Sequence, residues 1–474
     1  MRLSMAQGGH SMEQTKKLGR RDFLRWCGLA AAATALAACA PAAPAAAPTA
    51  VPAQATEAPA GQQAAPATTG KGSLRYMYWG TEQEAAVKAQ VEAFKQVAPG
   101  ITVDAQLVPW DQYWDKLLTA IAGGSAPETY WLNMDNFTAL VAKDALFCIQ
   151  PYLDKEDAAK ADWTINFDPL KEAYSYNKEA YSWPRDYDTI AVAVNLDLFK
   201  AAGLDYPSSA DNFKAWDWGT FRTYAEKLTK QEGGRTTQFG VLATNTDQEG
   251  WFNWIYSNGG TILNQDKTQV TIGEKPALDA LREYVSYRLK GWSPGEESLQ
   301  SQDTNAMFYT GKLGMMITGD WNVGVFNDNI KDFEWDLLPI PYAPTGKSIC
   351  MIHGLGNTID KKAKDPELCF QWIKFLGSKD GSSILGKTGT VIPSRQDTAQ
   401  LWFDPSFKPA HRKIYLDWTP TAVFFPNTAK PSTAEWEKPI LDQLTLVMEQ
   451  GKDLEQAINE AVQTANNILA GKAT

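Results

Sequence analysis

The stretch Trp183-Pro-Arg-Asp-Tyr-Asp-Thr-Ile-Ala-Val-Ala-Val-Asn-Leu-Asp-Leu-Phe199 decides how the rest of the chain is read. A polar loop carrying Arg185, Asp186 and Asp188 runs directly into the short apolar run Ile190 to Val194. That run is brief, β-branched and followed at once by a helix-like Asp197-Leu-Phe-Lys200, the pattern of a buried strand. Charges abutting a buried strand cost stability unless they find partners. The loop therefore belongs at an interface or a cleft edge. A surface loop before an ordinary core strand gives the same pattern and stays open at this point.

Working outward, the 474 residues are too many for one ordinary core and comfortable for two. Residues 1–38 hold six Lys/Arg and two Asp/Glu, and without them the net charge is −14. So acidic a body argues against nucleic acid, whose binding rests on neutralising phosphates with Lys/Arg, and against a basic membrane-surface patch. Of 18 Trp only Trp26 lies in that leader, so the body can spare indoles for a stacking site even if most serve the core. His353 and His411 are the only histidines beyond the leader, and no His or Cys pair has metal-ligand spacing, so neither metal nor cofactor is expected. Cys148, Cys350 and Cys369 allow at most one disulfide within a monomer and read as small buried hydrophobes.

Residues 1–38 have the parts of an export signal. Lys16, Lys17, Arg20, Arg21 and Arg25 precede a Cys27–Ala38 apolar run. A bilayer span needs about 20 residues, and this run is shorter. Arg20-Arg21-Asp22-Phe23-Leu24-Arg25 resembles a twin-arginine signal, with Gly19 where Ser or Thr is usual, so Sec export stays open. Leu36-Ala37-Ala38-Cys39 resembles a lipobox, which implies a lipid on Cys39 and anchoring to the outer face of the cell membrane. Residues 39–72 are an Ala/Pro-rich linker that cannot bury a core, with a reach of about 100 Å if fully extended.

The body opens with an alternating strand, Leu74 to Trp79, a helix with Val87, Val91 and Phe94 at helical spacing, and a strand from Ile101 to Val108. This β-α-β unit puts Trp79 at the carboxyl end of its first strand, where open α/β sheets bind ligands. Asn133, Asp135 and Asn136 follow the next strand and offer the donors and acceptors that sugar hydroxyls need. Capping of the following helix would occupy one of the three.

Four segments in order resemble the extracellular solute-binding proteins of the sugar-binding class, the receptors of ABC importers. They are Pro184 to Phe199, Gly123 to Phe137 with Glu128 where Asp is usual, Glu249 to Gly260, and Ala306 to Trp321. The likeness spans roughly residues 74–470. It implies an α/β, two-lobed, periplasmic-binding-protein-like fold of type II, hinged, with discontinuous lobes: 73–188 plus 340–395, and 189–339 plus 396–474. It also implies that Asp186, Asp188, Glu249, Trp251 and Trp321 face the cleft, with Trp254 left to packing. His353 and Gly354 stand where the family has a Gly-Gly turn near the ligand, and Trp436 reaches the cleft from a closing helix.

The implied function is capture of a carbohydrate, neutral and oligomeric on this pattern, by a monomer that delivers it to permease subunits. Two other classes remain. A secreted glycoside hydrolase would set paired carboxylates about 5–5.5 or 6.5–9.5 Å apart. A surface adhesin or sensor would bind sugar without transport.

Overall fold

A computed structural model describes residues 71–472. The export signal, Cys39 and the linker up to residue 70 lie outside the described residues. Strand β1 (Gly72–Tyr78) begins just inside the segment assigned to the linker. It leads to α1 (Glu84–Val97) and β2 (Ile101–Leu107), which runs parallel to β1. Thr81 and Glu84 have the spacing of a capping box, but none forms; a short 3-10 turn, Thr81–Gln83, starts the helix instead. Gly80 makes that turn with φ 84°, and the Glu82 carboxylate folds back over it where a Cβ would stand. Helix α2 (Trp110–Gly123), β3 (Thr129–Asn133) and α3 (Met134–Ala142) follow.

The charged loop expected before Ile190 is a strand as well. Strand β4 (Ser182–Asn195) runs unbroken for 14 residues. The reason lies in its neighbours. Beyond β4 come β5 (Arg235–Leu242), β6 (Leu313–Gly319), α4 (Asn322–Asn329), β7 (Trp335–Leu338), β8 (Met351–Ile359), α5 (Pro366–Gly377) and β9 (Ile392–Pro393). Ser182 to Thr189 pairs antiparallel with β8, whereas Ile190 to Val194 pairs with β6 and Val192 to Asn195 with β7. Partners on both halves satisfy the backbone, and at the bulge of Arg185 its carbonyl accepts from the Ser394 N–H, so no part is left to loop out.

One curled sheet results, ordered β2-β1-β3-β8-β4-β6-β5, with β7 and β9 also on β4. The chain passes between the halves of this sheet within β4, again between β7 and β8, and a third time beyond β9. Helices α6 (Thr433–Gln450) and α7 (Leu454–Leu469) then close against the second half, where Asn245 bonds the Leu441 carbonyl and Asn466 accepts from the Val270 N–H. His353 and Gly354, expected in a turn, lie mid-strand in β8 opposite Asp188 and Tyr187.

One apolar cluster, with Tyr76, Phe94, Trp131, Trp183 and Trp372, fills the β1–β2–β3 side. A larger one holds the apolar run of β4 with Phe221, Trp254 and Leu444. Asp365 caps α5 by accepting from the Leu368 N–H, and that helix buries Leu368, Trp372, Phe375 and Leu376 as its spacing predicts. Cys148, Cys350 and Cys369 are free thiols, the last two buried and pushed up to about 12 by burial, so they behave as inert hydrophobes.

Ile190 is 1% exposed in the shared strand. Ile190→Ala is expected to cost about 3 kcal/mol in urea unfolding, against under about 0.5 for Leu118→Ala on an exposed helix face. Equal midpoints for the two variants would contradict the shared-strand core.

Candidate functional site

Sequence neighbours in β4 alternate faces, so Asp186 and Asp188 point the same way. Asp188 sits opposite His353 of β8 in the ladder. His353 Nε2 lies 2.9 Å from Asp135 Oδ1, while Asp135 Oδ2 accepts from Asn133 Nδ2 at 2.8 Å. Asn136 Nδ2 in turn donates to Asn133 Oδ1 at 3.1 Å. The three residues chosen for hydroxyl recognition therefore hold one another and His353, and Asn133 makes no side-chain cap to α3. Gln248 donates to Asp188 from the far half of the sheet.

Arg185 is buried, donates to Asp186, and has its guanidinium carbon over the Trp131 ring, 3.9 Å from the centroid. Its Nε and Nη2 have no hydrogen-bond partner among the described residues. Asp320, at the end of β6, is fully buried, and neither carboxylate oxygen is paired. The backbone N–H groups of Asp320 and Ile392 favour its charged form weakly, without meeting hydrogen-bond geometry.

A cavity of about 820 Å³ opens between Glu82 of the 3-10 turn and Ala86 of α1 on one side and α4, with Val323 and Asn327, on the other; Thr390 and Arg412 complete its wall. Trp321 stands beside it, packed against Ala86, Leu385 and Val391 from the opposite half. Its ring lies over Gly319 so closely that no Cβ fits there. Arg412 ties the cavity to the charge cluster, because the Asp320 carboxylate acts on its guanidinium, and Glu82 does so through Arg185.

The aromatic half of the site gathers at Trp79. Its half-buried ring meets Trp110 at 5.2 Å, Tyr113 at 4.6 Å and Trp131 at 5.2 Å. Trp110 is 55% exposed, so this platform presents an indole to solvent. Trp251 and Trp436 are placed elsewhere. Both are fully buried in the core, Trp436 donating to Thr428 Oγ1 at 2.8 Å, with no free face for a ligand. Gly354 is packed rather than ligating, since Leu170 stands where its Cβ would be. Glu249 joins the charge cluster from a kinked turn at Gly250. Sequence reasoning passed over Glu82, Asp247, Asp320, Arg412 and Glu437. Asp320 had a signal, next to Trp321 in the same motif; Arg412 and Glu437 had none.

Burial pushes Asp186 up to about 6 against the pull of Arg185, and Asp188 up to about 7, with His353 pulling it down and Asp186 pushing it up. Burial and Asp247 raise Glu249 to about 7. Burial alone would lower His353, but Asp135, with Asp188 and Asp247, overrides it to about 9. Such a site offers acceptors, shared protons and one imidazolium, enclosed by protein.

A model of the bacterial extracellular solute-binding protein family matches residues 79–382. The chain is 24% identical over 314 residues to a binding protein of Brucella abortus strain 2308, covering 65% of this chain and 72% of that one. It is 21% identical over 419 residues to the galactooligosaccharide-binding protein of Bacillus subtilis strain 168, covering 85% and 91%. In structure it is similar to an ABC substrate-binding protein of Listeria monocytogenes solved with cycloalternan, with TM-score 0.76 and 22% identity over 85% of this chain and 100% of that one. That likeness is one of fold: two α/β lobes of the type II periplasmic-binding arrangement.

The pH dependence follows from these shifts. Asp186, Asp188 and Glu249 hold protons in the folded protein that the unfolded chain releases near its ordinary carboxylate values, so stability falls as pH rises to about 7. His353 contributes stability that is full below about 6.5 and lost as pH rises through about 9. Both act in one direction. Melting temperature is expected to decline steadily from about pH 5 to about pH 9, and His353 to titrate near 9 by NMR in the wild type but lower in Asp135→Asn. A flat profile, or no change on Asp135→Asn, would count against the cluster.

Proposed function

Because the chain belongs to the bacterial extracellular solute-binding proteins, we propose that it captures a carbohydrate between its lobes and delivers it to the permease of an ABC importer. The observation that carries this reading is the cavity of about 820 Å³ between Glu82 and Ala86 on one side and Val323 and Arg412 on the other, with Trp321 packed on Ala86 at its edge. An indole covers the apolar C–H face of a pyranose, while carboxylates and Arg185 bond the hydroxyls at its edge. Ligand contacting both halves at once favours the closed form, and only that differential affinity shifts the population.

The lobes divide, on this reading, near residues 188 and 339–351 and beyond 395, where the chain passes between the halves of the sheet. The lipobox supports a lipid on Cys39, with the following Ala/Pro-rich segment as a tether that holds the binding domain near the permease. A hydrolase is the weaker reading. Asp186 is engaged by Arg185 and Asp188 by Gln248, and the relatives described above are binding proteins.

Tryptophan fluorescence, titrated with mono- and oligosaccharides, is expected to saturate with at least one sugar, which is recovered intact. Trp321→Ala is expected to weaken that sugar about tenfold or more. Hydrolysed product would install the enzyme reading, and silence across all sugars would sink the carbohydrate. In the native host, Cys39→Ala is expected to move the protein from the membrane pellet to the soluble fraction; retention in the pellet would refute the lipid anchor.

A further inference from the structure

The ionisable groups around Asp320 are unbalanced in a way a neutral sugar does not explain. Strand β4 supplies Arg185, Asp186 and Asp188, and β8 supplies His353. Asp135 approaches from α3, while Asp247 and Glu249 approach from the turn before Phe252. Glu437 comes from α6 and is buried beside Asp247, with Oε1 unpaired among the described residues. At the cavity wall stand Glu82 and Arg412. Eight carboxylates thus face two guanidiniums and one imidazole, and no group of three or more acids, His or Cys among the described residues is arranged to hold a metal ion.

Asp320 is the sharpest case. It is fully buried with both oxygens unpaired, next to Asp186 and Asp188, whose charges push it further above the ordinary carboxylate range after burial itself. Leaving a buried acid without a partner is destabilising, and an Asn or Leu there would relieve it. The hydroxyls of a neutral sugar can donate to the Asp320 oxygens, but they bring no positive charge to the surplus of acids. An ammonium group gives three N–H donors and a full positive charge, and satisfies both.

Resting on the carbohydrate reading, we propose that the ligand is a saccharide bearing a basic nitrogen, its ammonium seated among Asp320, Asp188 and Asp186. The cavity takes the sugar rings, Trp321 covers one face, and the amine points inward past Arg412. Arg185 uses its unpaired Nε and Nη2 on ring or hydroxyl oxygens of the same residue. This departs from the neutral ligand that the sequence pattern favoured, because the carboxylates that tip the balance come from segments far apart in the chain.

The test is calorimetric titration of the full-length protein at about pH 7 with matched sets of mono- and disaccharides. Each set carries an amine, an N-acetyl group or a hydroxyl at the same carbon, and spermidine is run alongside. At least one amino member is expected to bind about tenfold or more tightly than its N-acetyl and hydroxyl counterparts. Asp320→Asn, which replaces a buried unpaired acid with a group of the same shape that cannot ionise, is expected to melt no lower than the wild type and to lose that preference. Neutral members binding as tightly as amino ones would overturn the basic nitrogen and keep the carbohydrate. No saccharide binding, or spermidine alone binding, would overturn the carbohydrate and this proposal together. A preference that survives Asp320→Asn would remove the assigned seat.

Discussion

Everything in this molecule hangs on one strand serving both halves of the sheet. The backbone of β4 bonds β8 over its first half and β6 and β7 over its second, broken only by a bulge at Arg185, whose carbonyl accepts from the Ser394 N–H. A buried backbone group without a partner is costly, which holds each end of the strand rigidly to its own half. The two ladders meet near Thr189, whose Oγ1 donates to the Tyr415 carbonyl at 2.7 Å. Arg185, Asp186 and Asp188 stand immediately before that junction, where the two halves meet.

The same placement explains the electrostatics. A carboxylate at a seam between two packed halves loses solvent from both sides, so Asp186, Asp188, Glu249 and Asp320 all hold protons more tightly than free acids. His353 is pulled the other way by Asp135 and becomes the counter-charge. Protein that keeps such groups unpaired gives up stability at the site, and two large apolar clusters compensate elsewhere. Arg185 stacked on Trp131 links the charge cluster to the aromatic platform around Trp79, so the polar and apolar faces of the site share one support.

Tryptophan shows how far residue patterns carry. Trp79 and Trp321 follow strand ends, and in the structure both are half-buried against apolar clusters. Trp251 and Trp254, three apart on one short helix segment, were separated into cleft and core, yet both are fully buried. Helical spacing tells that two residues share a face, and it says nothing about which wall the face meets. Trp436 failed for the same reason.

The sequence by itself determined the local physics. β-Branched runs became strands, Asp365-Pro366 started a helix, and the β-α-β unit formed with Trp79 at its end, because these depend on residues within a few positions of one another. Only the tertiary structure decided that the charged stretch Arg185–Asp188 is strand rather than loop, since its partners in β8 lie more than 160 residues away. It alone also brought Asp320, Arg412 and Glu437 to one site. A carboxylate's energy is set by what surrounds it across a few ångströms, and no spacing along the chain encodes that distance.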